Sequence, residues 1–145
     1  MQISSDSRTL YERMGGEEAI QNLVRTFYRH MDELKEVKPI RDMHAKNLKV
    51  SEEKLFMFLS GWMGGPNLYM EKHGHPRLRM RHLPFAIDES ARDQWMHCMR
   101  RALDDIPIEE QLRKKLEHAF MATADHMRNQ PEQEEDENLK IFPGK

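Results

Sequence analysis

Apolar residues recur at helical spacing along most of the 145-residue chain. The clearest case is a stripe that would lie on one face of a helix and consists of Ile20, Leu23, Val24, Phe27 and Met31. No run alternates apolar and polar residues as a half-buried strand does, and no Asn-Gly or Asp-Gly pair indicates a hairpin. The pattern therefore predicts an all-α fold.

Glycine and proline residues divide the first half of the chain into helical segments. A short helix is predicted at residues 9–14, because Gly15 and Gly16 break the pattern after it. The helix that carries the apolar stripe follows this break. Residues 33–47 are mixed in character and contain Pro39, so they are interpreted as a loop.

An aromatic-rich helix is predicted at residues 51–63. It ends at Gly64-Gly65-Pro66, because glycine supplies a left-handed turn and proline cannot continue a helix. A short helical turn is expected at 67–71. Residues 72–87 contain too many helix breakers for a long helix and are interpreted as a basic loop.

Two helices are predicted in the last part of the domain. Asp88 is the expected N-cap of a helix that carries Trp95 and ends before Pro107. A final helix is predicted at 108–127. The domain is expected to cover residues 1–128, and the acidic tail at 129–145 is expected to be flexible.

The overall composition limits the classes of partner. Hydrophobic residues make up 38% of the chain and charged residues 33%, with a formal net charge of −2. This balance is typical of a globular domain and does not provide a surface for polyanions. Nucleic acid is therefore not an expected partner.

Cysteine usage and hydropathy predict the compartment. Cys98 is the single cysteine, so the chain has no internal disulfide and no CxxC pair, which favours a reducing, cytoplasmic setting. Residues 1–8 are too polar for a signal peptide, and no stretch approaches the roughly 20 apolar residues of a membrane span. We expect no membrane partner, and the sequence leaves monomer and homodimer open.

His82 is the first candidate for chemistry. It lies between apolar neighbours in the basic loop and beside three alternate arginines: Arg77, Arg79 and Arg81. An imidazole nitrogen ligates iron well when the other ring N–H is held by a carbonyl or carboxylate, and nearby cations can meet the carboxylates of a porphyrin. Taken alone, a single histidine among apolar residues is more often an ordinary core or loop residue.

A wider set of motifs resembles the truncated haemoglobins, specifically their second group. These motifs follow the order of that family over about residues 10–127, and they are Phe27-Tyr28, Trp62-Met63-Gly64-Gly65-Pro66 with Tyr69, the loop from Gly74 to Phe85, and Arg92-Asp93-x-Trp95 with Cys98-Met99. The resemblance implies a two-over-two helical sandwich around haem b. It also implies dioxygen and other diatomic gases as ligands.

The resemblance further implies a role for individual residues. His82 matches the proximal histidine that ligates iron, and Tyr28 and Trp95 match the distal tyrosine and tryptophan that face the bound gas. His44 falls where the family usually has tyrosine or phenylalanine. The remaining cofactor contacts are assigned to Ser51, which replaces the distal histidine of other globins, to Lys54 and Tyr69 near the propionates, and to Leu55, Phe58, Trp62, Arg81 and Phe85.

The residues alone leave simpler interpretations open. Tyr28 could pack its ring and point its hydroxyl to water, and Trp95 could donate to a backbone carbonyl. Lys54 fits a solvated surface lysine, and Ser51 fits a helix N-cap. The other histidines have no spacing that resembles a zinc site and are assigned to surfaces or loops: His30, His73, His75, His97, His118 and His126.

Two donors on the distal side predict slow release of dioxygen, which is poorly suited to transport. Oxygen scavenging, nitric oxide oxidation or peroxide chemistry, served by an unidentified reductase, is the favoured use. A gas sensor and a haem-free helical interaction module are the alternatives. His44 or Tyr28 is also a candidate for the sixth iron position when no gas is bound.

Overall fold

The computed structural model describes residues 7–130, and within them it contains helices and no strand. Eight α-helices and one 3₁₀ turn at Lys35–Val37 make up this part of the chain. The α-helices are α1 (Leu10–Met14), α2 (Glu17–Glu33), α3 (Lys38–Arg41), α4 (Lys49–Trp62), α5 (Leu68–His73), α6 (Leu78–His82), α7 (Glu89–Asp104) and α8 (Glu110–His126). The predicted all-α fold is confirmed.

Four long helices form the core in two pairs. Helix α2 packs against both α4 and α7, and α7 packs against α8. The stripe predicted on α2 is buried at every position. It meets a second buried set on α7, which consists of Met96, Cys98, Met99, Ala102 and Leu103. Burial raises the pKa of the Cys98 thiol to about 12, so this cysteine is a protonated core residue.

The end of α4 is fixed by contact with α1. The Tyr11 N–H donates to the Met63 carbonyl at 2.8 Å. Gly64 has φ of 91°, a left-handed conformation, and a Cβ atom at Gly65 would overlap the ring of Tyr11. The Gly-Gly-Pro stop therefore ends the helix, as predicted, and also makes room for an aromatic side chain from α1.

Several local predictions are confirmed or corrected. Asp88 caps α7, since its Oδ1 accepts from the Ala91 N–H at 2.9 Å. Ser51 is not an N-cap, because α4 begins at Lys49 and Ser51 lies within its first turn. The segments predicted as loops at 33–47 and 72–87 contain α3 and α6, which are short enough to form between breakers.

His30 was assigned to the surface, and this prediction is wrong. The residue is buried, and its Nε2 lies 2.6 Å from Oδ2 of Asp105 at the end of α7. It follows Leu23 and Phe27 at helical spacing, so it shares their inward face. An acidic partner distant in sequence makes burial of this imidazole tolerable.

The tail prediction lies largely outside the described residues, since 131–145 are not among them. Asn129 and Gln130 are described, and both backbone N–H groups donate to the Ile87 carbonyl, at 2.8 and 3.0 Å. No helix within residues 7–130 is long and apolar enough to cross a membrane.

Candidate functional site

A cavity of about 600 Å³ lies between α2, α4, α6, α7 and α8. Its walls are largely apolar, which is typical of a site for a flat hydrophobic ligand. All the site residues predicted from the sequence line it: Tyr28, His44, Ser51, Lys54, Leu55, Phe58, Trp62, Tyr69, Arg81, His82, Phe85 and Trp95. The structure thus brings together side chains from widely separated parts of the chain.

His82 is the last residue of α6 and is half-buried. Its Nδ1 lies 2.7 Å from the carbonyl oxygen of Leu78. A carbonyl only accepts, so Nδ1 carries the proton and donates. The lone pair of the neutral ring is consequently on Nε2, the nitrogen available to a metal, and the Leu78 carbonyl fixes the tautomer and the ring orientation.

His44 lies just after α3 and has the same arrangement. Its Nδ1 donates to the Ile40 carbonyl at 2.8 Å, which leaves Nε2 without a proton in the neutral ring. Burial lowers the pKa of His44, with smaller contributions from the charges of Arg41 and His82, and outweighs the opposing effect of the Ile40 hydrogen bond. At neutral pH, His44 therefore presents a second imidazole lone pair.

Tyr28 is buried on α2, one residue after the core residue Phe27. Burial raises the pKa of its hydroxyl, and the negative charge of Glu52 raises it further. The hydroxyl therefore keeps its proton and can donate. Tyr28 lines the cavity, where a bound ligand could accept a hydrogen bond from this hydroxyl.

Trp95 is held on α7 by two aromatic neighbours. Its ring centroid lies 5.0 Å from that of Phe27 and 5.9 Å from that of Phe120. Phe120 also stacks on Trp62, with centroids 4.7 Å apart. This aromatic cluster restricts the indole of Trp95 to one side of the cavity.

Two exposed cationic side chains line the cavity. Lys54 and Arg81 are exposed and line it, and the Arg81 guanidinium carbon lies 5.8 Å from the ring centroid of Tyr69. The Arg81 Nε donates to the Pro76 carbonyl at 2.6 Å, which orients the guanidinium. Two cations at a half-open edge suit a ligand with an apolar body and an anionic end.

Several lining residues were not predicted from the sequence. They are mostly apolar: Ile40, Met43, Ala91, Phe120, Thr123, Ala124 and Met127. Arg92 also lines the cavity and pairs with Asp125 at 2.7 Å and Asp93 at 2.9 Å, and these hydrogen bonds raise its pKa. The sequence places Arg92 in the Arg92-Asp93-x-Trp95 motif but does not indicate a role for it. Helical spacing around Trp95 could have placed it on the same face.

The residues present fit haem. The cavity has a suitable size, its walls are largely apolar, the His82 imidazole has its Nε2 lone pair available, and two exposed cations line the cavity. A helical fold that combines these features defines a haem-binding globin.

The chain belongs to the bacterial-like globin family, whose model matches residues 9–129. It is 42% identical over 125 residues to Group 2 truncated hemoglobin YjbI of Bacillus subtilis, covering 86% of this chain and 92% of that protein. The cold-adapted truncated haemoglobin of Pseudoalteromonas haloplanktis TAC125 superposes with a TM-score of 0.83 at 46% identity, covering 85% of this chain and 99% of that one.

A second solved structure is described as the truncated oxygen-avid haemoglobin of Bacillus subtilis. It superposes with a TM-score of 0.76 at 40% identity, covering 84% of this chain and 100% of that one. These relatives confirm the predicted group II truncated haemoglobin and its two-over-two fold. Haem b is the cofactor and diatomic gases are the ligands of this family, which favours a haem protein over a haem-free interaction module.

Proposed function

We propose that the protein binds dioxygen at ferrous haem held by His82 and releases it slowly, so that the gas is used in redox chemistry or scavenged. The observation that carries this proposal is the pair of donors, Tyr28 and Trp95, on the cavity that His82 also lines. The similarity to an oxygen-avid haemoglobin supports it.

Ferrous haem supplies reversible binding of diatomic gases, with negative charge shifting onto dioxygen. The Tyr28 hydroxyl stays protonated because it is buried, and the Trp95 indole N–H can only donate. Both groups therefore favour the partly anionic ligand. Each net hydrogen bond contributes about 1 kcal/mol, and about 1.4 kcal/mol corresponds to a tenfold change in affinity.

The other assigned residues hold the cofactor. His82 offers Nε2 to the metal, because Nδ1 is bonded to Leu78. Lys54, Arg81 and Tyr69 line the cavity, and we expect them to meet the haem carboxylates. Ser51 is small enough to leave space on the distal side, and Leu55, Phe58, Trp62 and Phe85 supply apolar wall.

Slow release suits consumption of the gas more than transport. Oxidation of nitric oxide to nitrate by dioxygen requires one electron for each nitrate formed, and reduction of peroxide to water requires two. Either use requires a reductase as partner. A cytoplasmic location is part of the proposal, and the free state of the single cysteine, Cys98, supports it.

The test is dioxygen release measured by stopped flow in Tyr28→Phe, Trp95→Phe and the double variant. Loss of one donor should accelerate release by roughly five- to tenfold, and loss of both by up to about a hundredfold. Carbon monoxide release should change less, because carbon monoxide gains less negative charge. Tyr11→Phe is the matched control, since Tyr11 packs beneath Gly65 outside the cavity.

Unchanged dioxygen release in both single variants would remove the basis of the proposal. Equal acceleration of dioxygen and carbon monoxide release would also contradict it, because that result indicates easier escape and not lost hydrogen bonds. Nitrate formation from nitric oxide, followed with a supplied reductant, then separates nitric oxide oxidation from simple scavenging.

A further inference from the structure

Asn129, three residues after the end of α8, makes an unusual set of contacts with the His82 loop. The side-chain Nδ2 of Asn129 donates to the carbonyl of His82 at 3.2 Å and to that of Phe85 at 3.0 Å. Its Oδ1 accepts from the Ile87 N–H at 2.9 Å. A single amide thus binds three backbone groups of one loop, 47, 44 and 42 residues away in sequence.

The loop needs such a partner because α6 has only five residues. The last carbonyls of a helix have no partner inside it, and Pro84 in the next turn lacks an N–H to offer. The Phe85 N–H reaches the His82 carbonyl at 3.0 Å, and the second bond to that oxygen comes from Asn129. The carbonyl oxygen of His82 therefore accepts two hydrogen bonds.

A second contact connects α6 and the end of α8 in the opposite direction. Nη1 of Arg79 donates to the carbonyl of His126 at 3.1 Å and to that of Arg128 at 2.9 Å. The backbone N–H of Asn129 also donates to the Ile87 carbonyl at 2.8 Å. Helix α6 and the loop that follows it are thus bonded to residues 126–129 through both side chains and backbone.

We propose that Asn129 is a positioning residue for the proximal histidine, acting through the backbone of residues 82–87. This inference rests on the proposed role of His82 and extends it. An asparagine is suited to this task because its amide has two donor hydrogens and one acceptor oxygen. Aspartate would keep the acceptor and lose both donors, and alanine would lose all three bonds.

The experiment compares Asn129→Ala, Asn129→Asp and wild type as ferrous holoproteins. The iron–histidine stretching band in the resonance Raman spectrum reports how the proximal imidazole is held. Both variants should shift or broaden this band, and hemin transfer to apomyoglobin should become about tenfold faster, as for loss of other groups that orient a metal ligand. Asn129→Asp should show the effect even if Asn129→Ala folds poorly.

The matched control is Asn47→Ala. Asn47 also makes a side-chain bond to backbone, accepting from the Lys49 N–H at 2.9 Å, but this bond lies at the start of α4 and not in the His82 loop. If the Asn129 variants melt earlier yet keep the wild-type band and hemin transfer rate, Asn129 is merely structural and the inference is wrong. The His82→Gly variant tests the role of His82 separately from that of Asn129. If the iron–histidine band persists in His82→Gly, His82 is not the iron ligand.

Discussion

The imidazole of His44 stands edge-on to the ring of Tyr28, with centroids 5.8 Å apart at an interplanar angle of 73°. This contact places a neutral imidazole and a protonated phenol together on one part of the cavity. One carries a lone pair and the other a donor hydrogen. This part of the cavity therefore carries a hydrogen-bond donor and an imidazole lone pair close together.

We predict that His44 competes for the sixth iron position when no gas is bound. The ferric protein without added ligand should contain a six-coordinate, low-spin fraction in its absorption spectrum, and His44→Ala should remove it. Loss of that fraction in Tyr28→Phe but not in His44→Ala would assign the position to Tyr28. A wild-type spectrum that is purely five-coordinate or water-bound would contradict the prediction.

The lowered pKa of His44 predicts a dependence of stability on pH. The folded protein resists protonating this ring, so the unfolded chain binds more protons once the pH falls below about 6.5, the ordinary value of histidine. The free energy of unfolding of wild type should therefore decrease more steeply from pH 7 to pH 5 than that of His44→Phe. Chemical denaturation under carbon monoxide, which keeps the sixth position occupied, measures this. If the free energy of unfolding falls equally in wild type and His44→Phe, the pH dependence does not come from His44.

Gly65 provides a test of the contact between α1 and α4. A Cβ atom there would overlap the Tyr11 ring, so Gly65→Ala should destabilise the fold by about 1–3 kcal/mol, the usual cost of overpacking. The cycle with Tyr11→Ala is the control, because the penalty of Gly65→Ala should shrink once the ring is removed. An equal penalty in both backgrounds would mean that the glycine is needed only to end the helix.

Local pattern was sufficient to predict the helices that form the core. The α2 stripe from Ile20 to Met31 specifies both its helix and its buried face. The position of Tyr28 beside Phe27 also follows from helical geometry. The roles predicted for His82 and Trp95, however, depend on a resemblance over most of the chain, since neither residue is distinctive alone.

Contacts between distant residues could not be predicted in this way. The His30–Asp105 pair and the bonds of Asn129 to the His82 loop depend on how helices pack, and no spacing signals them. Short helices such as α3 and α6 were also missed, because they have fewer turns than a periodic pattern needs. The shape of the cavity is a property of the assembled fold.

The central claim is that His82 holds the haem iron, and the cavity variant His82→Gly tests it most directly. Ferrous His82→Gly reconstituted with hemin should lack the iron–histidine band in resonance Raman, and added imidazole should restore a band by occupying the vacated space. His75→Gly, in the same basic stretch but outside the cavity lining, should keep the wild-type band. An unchanged iron–histidine band in His82→Gly would show that His82 does not hold the haem iron.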